Sequence, residues 1–439
     1  MKTQCLPVRI LLVFTIGQYY DKGMLIRKAY KFRLKSHPAL EQKLFRQAGC
    51  CRWVWNQVWH MNQRRLADRQ PLIRYQEAAF WLKLWKRSDD YGFLREVHSQ
   101  PLQQVLKDLD RTYRDGFDKN QPLKRLPRKK RKYRDVAFRY PQGVKLDNRR
   151  VYLPKIGWVG FFKSREIQGK AKNATLSYRA GHWSVSIQVE MPVPKPVHSA
   201  TTDAGIDLGV ASFAALSNGV TYAPINAYRE HQDQLARVQR RLSRKVKFSC
   251  NWLKQKRRIQ RLHYKIACCR QDFLHKTSTV ICENQAMIFV EDLKVRNLSR
   301  SAAGTLDAPG RNVRAKAGLN KSILDQGWSE FVRQLDYKSQ WRGGMVVKVP
   351  AHHTSQSCSE CGHVHPDNRK SQAVFHCQAC GHLENADTNA AKNIRARGHR
   401  VLACGGAVQS DRPVKQEPVG CREALPPTAS SEAAGIPPL

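Results

Sequence analysis

Between Ile26 and Leu34, the apolar residues Ile26, Ala29, Tyr30, Phe32 and Leu34 partly alternate with Arg27, Lys28, Lys31 and Arg33, which reads as a basic β-strand. Pro38 then opens a helix, in which Leu40, Leu44, Ala48, Cys51, Trp55 and Val58 recur with a period of about 3.6 residues. Further helices are expected over 74–87 and 98–118. Strands return from about 135 to 194, in DVAFRYPQGVKLD, RRVYLP, WVGFF, ATLSYRAG and HWSVSIQVEMP, with a spacing that suits a small antiparallel barrel or sandwich. Pro192, Pro194 and Pro196 close this region.

A second unit begins with GIDLGVASFAALSNG (205–219), which reads as a hairpin of buried strands. Residues 229–282 form a long basic helical stretch with Leu235, Val238, Leu242, Ile259, Leu262 and Ile266 as its apolar stripe. Then come the strand AMIFVEDL (286–293), a Gly/Ala/Arg loop (299–321), an amphipathic helix (326–341) and the strand MVVKVPA (345–351). The Gly-, Ala-, Pro- and Ser-rich tail after about 399 reads as disordered.

Charge narrows the function. The 439 residues include 77 Lys and Arg against 35 Asp and Glu, a net +42, and self-repulsion of that size opposes compaction unless a polyanion neutralises it. Charge alone excludes neither a ribosomal-type nor a membrane-surface protein, but together with 9% aromatics it favours nucleic acid. Phosphate contacts are expected from Arg128, Lys129, Lys130, Arg131 and Lys132 in the block KRLPRKKRKYR (124–134), and from Arg240, Arg241, Arg244, Arg257 and Arg258 on the basic helical stretch. Trp53, Trp55, Trp59, Trp81 and Trp85 could stack on bases, although helix packing is the commoner use of such residues. No apolar run approaches the ~20 residues of a membrane span. Nine of the 13 cysteines lack disulfide-framework spacing, which points to a reducing cytoplasm, and the lack of such an apolar run points to no membrane partner.

The other four cysteines form CSECG (358–362) and CQACG (377–381). Each CxxC turn aims two sulfurs at one point, so Cys358, Cys361, Cys377 and Cys380 read as a closed, structural Cys₄ zinc site. His363, His365, His376 and His382 lie close enough in sequence to compete as ligands. Acidic residues also stand at informative places. Asp207 follows an apolar strand start in GIDLG, Glu291 ends MIFVE, and Asp387 opens a helix with Ala390, Ala391 and Ile394 on one face. Three acids beside apolar elements suggest one shared magnesium or manganese site, of the kind phosphodiester hydrolysis needs. Taken singly, each is more often a cap or a surface charge.

In chain order, GIDLG, the VEDL strand end, TSQSCSECGHV and NADTNAAKNI resemble the TnpB/OrfB proteins of bacterial insertion sequences, as do LIRKAYKFRLKS and QDFLHKTS (271–278). The resemblance covers about residues 24–398. It implies an α+β, multidomain fold: an N-terminal β-barrel (wedge) domain with a helical, helix-turn-helix-like insertion, then an RNase H-like (RuvC) α/β nuclease domain with an inserted zinc ribbon. The expected boundaries are 24–37 and 133–197 for the barrel, 38–132 for the helical insertion, 198–353 and 385–398 for the nuclease, and 354–384 for the ribbon. Residues 399–439 would be the tail, and 1–23 an extension ahead of a start at Met24.

The resemblance further implies a transposon-encoded, RNA-guided, magnesium-dependent DNA endonuclease that cuts by a two-metal mechanism, with Asp207, Glu291 and Asp387 as catalytic metal ligands. Its guide RNA would come from the transposon end and pair with double-stranded target DNA, which fits the large positive charge. A separate tyrosine-type transposase of the same element would perform strand transfer. Two other functions stay open at this stage: a transposase that joins DNA strands itself, and a non-catalytic nucleic-acid-binding regulator.

Overall fold

The computed structural model describes residues 23–132, 136–305 and 307–404, so the expectations for 1–22 and for the tail beyond Cys404 lie outside the described residues. The first strand, β1 (Met24–Arg33), buries Ile26, Tyr30 and Phe32 and exposes Arg27, Lys31 and Arg33. Three helices follow: α1 (Pro38–Ala67), α2 (Tyr75–Arg87) and α3 (Ser99–Phe117). Next come β2 (Ala137–Tyr140), β3 (Lys145–Asp147), β4 (Arg150–Leu153), β5 (Gly157–Gly160), β6 (Lys170–Arg179) and β7 (His182–Val193).

These strands form one antiparallel sheet ordered β1-β7-β6-β2 and a second ordered β3-β4-β5. The chain just past β1 joins the two: Lys35 N donates to Gly160 O, and Phe162 N to Arg33 O, both at 2.8 Å. β2 and β3 are the end strands, so among the described residues the ladder does not close into the expected barrel. The fully buried Trp183 locks helices to sheet, packing edge-on against Phe45 of α1 and Phe138 of β2.

The basic block is not a free solvated segment. Trp59 Nε1 donates to Pro127 O, Trp55 Nε1 to Arg128 O and Asn56 Nδ2 to Lys130 O, all within 3.0 Å, so α1 fixes its backbone. Two of the tryptophans therefore hold the basic segment, and Trp53 packs against Trp85, Tyr91 and Phe93.

The second unit is a three-layer α/β body. Its central sheet takes β8 (Asp203–Asp207), β9 (Ala214–Leu216), β10 (Thr221–Tyr222), β11 (Met287–Glu291) and β12 (Met345–Val349) in the order β10-β9-β8-β11-β12. β8, β11 and β12 are parallel, and β9 and β10 run antiparallel to their neighbours. α4 (Ala227–Ser243) and α5 (Cys250–Asn284) form a helical hairpin. The short α6 (Val295–Leu298) is followed by α7 (Val313–Gln326) and α8 (Trp328–Trp341). One sheet face packs Ile206, Ile288 and Val290 against Leu274, Ile281, Phe331 and Leu335 of α5 and α8. After the small hairpin of β13 (Val374–His376) and β14 (Leu383–Asn385), α9 (Ala386–Ala403) covers the other face, where Ile394 meets Phe289, Val347 and Val349.

Three expectations change. The basic stretch 229–282 is two helices, because Ser249 caps a fresh start by accepting from Trp252 N. The loop expected over 299–321 is helical from Val313: Gly318 meets nothing within 4 Å, and its cost of about 1 kcal/mol relative to Ala is absorbed once Ile323 and Asp325 are buried. The last helix runs to Ala403, past the expected boundary at 399, because Val401 and Leu402 pack beside Ile394. Among the described residues, no helix is long and apolar enough to cross a membrane.

Candidate functional site

β8 ends on Asp207, and its parallel neighbour β11 ends on Glu291 with Val290 level with Ile206, so both carboxylates leave the same end of the sheet. Asp387 lies in the first turn of α9, where the Asn385 side chain accepts from Asp387 N at 3.0 Å and from Thr388 N at 3.2 Å. Gly205 sets the approach of that helix. A Cβ there would lie 2.1 Å from Ala391 O and 2.6 Å from Arg395 N, so the β8 and α9 backbones touch where a side chain would stand. A cavity of about 330 Å³ is lined by Asp207, Glu291 and Asp387 together with Thr354 and Arg369.

Burial, reinforced by the Glu291 and Asp387 charges, pushes the Asp207 carboxyl up to about 7. Burial also raises Glu291, against the pull of a hydrogen bond from Thr354. Asp387 is raised by burial too and is partly relieved by Arg369, whose guanidinium stands 3.5 Å away. Among the described residues, Arg369 is the single cation lining the cavity. Three carboxylates against one cation leave excess negative charge in a partly enclosed space, and a hard divalent cation is its chemical complement. The donor set therefore fits magnesium or manganese.

Sequence reasoning missed Arg369 and Thr354. Both lie in or beside the cysteine ribbon, far in the chain from Asp207, and carry no spacing signal of their own. It also left the asparagines of NADTNAAKNI without a role. Asn389 Nδ2 donates to Ser357 O and its Oδ1 accepts from Ser359 N, while Asn393 Nδ2 donates to both Thr354 O and Ser357 O, all within 2.9 Å. α9 thus carries Asp387 and at the same time holds the chain that enters the ribbon.

In the ribbon, the sulfurs of Cys358 and Cys380 lie 3.7 Å apart and those of Cys361 and Cys377 3.5 Å apart, with all four within 4.8 Å of one another. Sulfurs bonded tetrahedrally to zinc at ~2.3 Å would lie about 3.8 Å apart, so the four cysteines fit that ion. Gly362 and Gly381, at φ of +74° and +73°, supply the left-handed turn after each knuckle. Among the described residues, His363, His365, His376 and His382 stay outside this set.

Of the expected phosphate contacts, Arg240, Arg241 and Arg244 lie at the end of α4, and Arg257 and Arg258 lie on α5. All five are exposed, and no carboxylate pairs with them among the described residues. Arg128, Lys129, Arg131 and Lys132 are exposed on the segment that α1 anchors, and Lys130 rests 3.9 Å above the Trp55 ring. The structure does not bring these two groups to the carboxylate cavity; none of them lines it.

Three family models match the chain. Residues 186–302 match an OrfB_IS605 model described as "Probable transposase", 328–394 match a Cas12f1-like TNB domain, and 24–70 match a helix-turn-helix domain of the same OrfB group. Within 24–70 the chain forms a strand and one long helix. A curated relative from Escherichia coli (strain K12), "Putative RNA-guided DNA endonuclease InsQ", is 52% identical over 393 residues, covering 89% of this chain and 97% of its own. A "Putative RNA-guided DNA endonuclease" of Streptomyces pristinaespiralis is 31% identical, covering 91% and 98%. Among solved structures, a Cas12f1-sgRNA-target DNA complex matches at 13% identity with a TM-score of 0.49, over 84% of this chain and 98% of that one.

Proposed function

The chain belongs to the TnpB/OrfB family of insertion-sequence RNA-guided DNA endonucleases, and from that premise we propose that it hydrolyses DNA phosphodiester bonds at the cavity of Asp207, Glu291 and Asp387. The observation that carries this reading is the convergence of three carboxylates, from two parallel strand ends and a helix start, on one cavity, with the Asp207 carboxyl buried among like charges. The sheet order β10-β9-β8-β11-β12, with three parallel strands and an antiparallel edge, supports an RNase H-like body. On this reading 198–353 and 385–398 would form the nuclease, 354–384 the ribbon, and 24–37 with 133–197 a wedge domain around the helical 38–132.

Asp207, Glu291 and Asp387 would hold magnesium or manganese, which when bound would activate water and stabilise the leaving 3′ oxygen. The chain's own residues orient that site. Thr354 fixes the Glu291 carboxylate, Asn385 fixes the start of α9, and Arg369 balances charge and can meet a phosphate oxygen. A single zinc held by Cys358, Cys361, Cys377 and Cys380 would keep the ribbon, and with it Arg369, against the nuclease body. The exposed arginines of the α4–α5 hairpin and the anchored block at 128–132 would carry guide RNA and target DNA by their backbones. A tyrosine-type transposase of the same element would act in strand transfer.

The test co-expresses the protein with the DNA flanking its gene, sequences the RNA that co-purifies, and assays magnesium-dependent cleavage of plasmids matched to the RNA's guide end. Cleavage that disappears in Asp207→Ala is the expected result. Bound RNA without wild-type cleavage would leave a regulator, and absence of RNA would favour a transposase that binds DNA directly.

A further inference from the structure

The outer face of β5 and its continuation carries aromatic rings that the core does not use. Val159 and Phe161 point inward and are fully buried, while Trp158 and Phe162, of the opposite parity, are 48% and 55% exposed. Tyr152, paired with Trp158 across β4 and β5, adds a third ring at 5.5 Å between centroids. At about 3.3 Å per residue, Trp158 and Phe162 stand roughly 13 Å apart on one face. Beside Phe162 is a cavity of about 210 Å³ lined by Lys35, Arg149, Phe161, Phe162, Lys163 and Ser164.

The charge around these rings is predominantly positive. Lys35 Nζ lies 5.4 Å and the Arg33 guanidinium 6.0 Å from the Phe162 ring centre, and the Arg150 guanidinium 5.6 Å from that of Trp158. The nearby carboxylates are already engaged, Asp147 with Arg150 and Glu166 with Lys163. Among the described residues no carboxylate pairs with Arg33, Lys35 or Arg149. Exposed rings on a sheet face, flanked by unpaired cations, match a ligand that alternates flat π-faces with negative charge.

We infer that this face binds unpaired nucleotides of the guide RNA, with one base stacked on Phe162 and its phosphate held by Lys35 and Arg149. The inference rests on the RNA-guided reading above and names a contact surface for that RNA. Duplex DNA and a paired guide–target helix keep their bases stacked inside, out of reach of these rings. Loops of a folded RNA offer the splayed bases that such rings require. The Ser164 hydroxyl in the cavity wall can both donate to and accept from a ribose 2′-OH.

The experiment irradiates the purified ribonucleoprotein with ultraviolet light and maps nucleotide adducts on its peptides. It then measures binding of the sequenced RNA to Phe162→Ala, Trp158→Ala and Phe162→Trp. The expected result is a ribonucleotide adduct on the peptide holding Phe162, about tenfold weaker RNA binding on removal of either ring, and recovery in Phe162→Trp. Both rings are about half exposed, so melting temperatures should fall by no more than a few degrees and the folded protein should remain available for the binding measurement. A deoxynucleotide adduct, or unchanged RNA affinity in both alanine variants of a protein that otherwise binds RNA and cleaves DNA, overturns this inference alone. A wild-type protein that purifies without RNA overturns it together with the RNA-guided reading.

Discussion

The Thr354 hydroxyl donates to Glu291 Oε1 at 2.5 Å, across 63 residues of chain, and so ties the entrance of the cysteine ribbon to a carboxylate at the end of the central sheet. Asn393 of α9 holds the same residue from behind through Thr354 O. Strand end, ribbon entrance and α9 therefore meet at one residue.

Thr354→Ala should lower the cleavage rate about tenfold by letting the Glu291 carboxylate reorient, while DNA affinity stays within about twofold. Thr354→Ser, which keeps the hydroxyl, should restore the rate. Single-turnover cleavage with bound RNA checks this, and equal losses in the serine and alanine variants would refute a positioning role.

The elevated Asp207 carboxyl predicts an unusual pH dependence of the metal-free protein. Its folded-state value of about 7 exceeds the ordinary carboxylate value of 3.8, so the folded state binds the proton more tightly. Stability from this group is full below about pH 4 and is lost as pH rises toward 7. At pH 8 in EDTA, Asp207→Asn should therefore be more stable than wild type, by about 1–2 kcal/mol once cavity water is allowed for. At pH 4 that advantage should vanish. Adding magnesium at pH 8 should stabilise the wild type and leave Asp207→Asn nearly unmoved.

Gly205→Ala places a methyl group 2.1 Å from Ala391 O. Because backbone atoms and not a flexible side chain oppose it, α9 must shift and carry Asp387 away from Asp207. A loss of about 3 kcal/mol or more of stability, with cleavage lost as well, is expected from chemical denaturation and activity assays. Gly318→Ala, at a helical site facing open space, should instead gain about 1 kcal/mol.

Cys361→Ser removes one of four sulfurs. Zinc per chain, measured by elemental analysis, should fall from one to near zero, with a lower melting temperature and a loosened Arg369. A zinc content that remains at one per chain would refute the Cys₄ assignment.

Much of this arrangement was legible beforehand because it is local. The periodicity of Leu40 through Val58 marked α1, alternation marked β1, and the paired CxxCG turns marked four sulfurs that do converge. The helix at 313–326 was hidden by Gly318 and by its few buried side chains, which the bonds of Asp325 to Tyr228 N of α4 and to Arg270 of α5 compensate. The Trp55 and Trp59 contacts to 127–128 were hidden for a different reason: an indole N–H bonded to a carbonyl about 70 residues away leaves no trace in sequence spacing.

The sequence by itself set Asp207 and Glu291 at strand ends and Asp387 at a helix start, because local apolar pattern fixes those positions. It also set four cysteines in two CxxCG turns, because such a turn is a complete local geometry. What joined the three acids into a set was the family resemblance. Only the tertiary structure decided that Asp207, Glu291 and Asp387 share one cavity, that Arg369 and Thr354 reach it from the ribbon, and that Asp207 is pushed toward 7. Those outcomes depend on burial and on charges brought together across 180 residues, from 207 to 387, and such proximity exists only once α9 packs against β8 at Gly205.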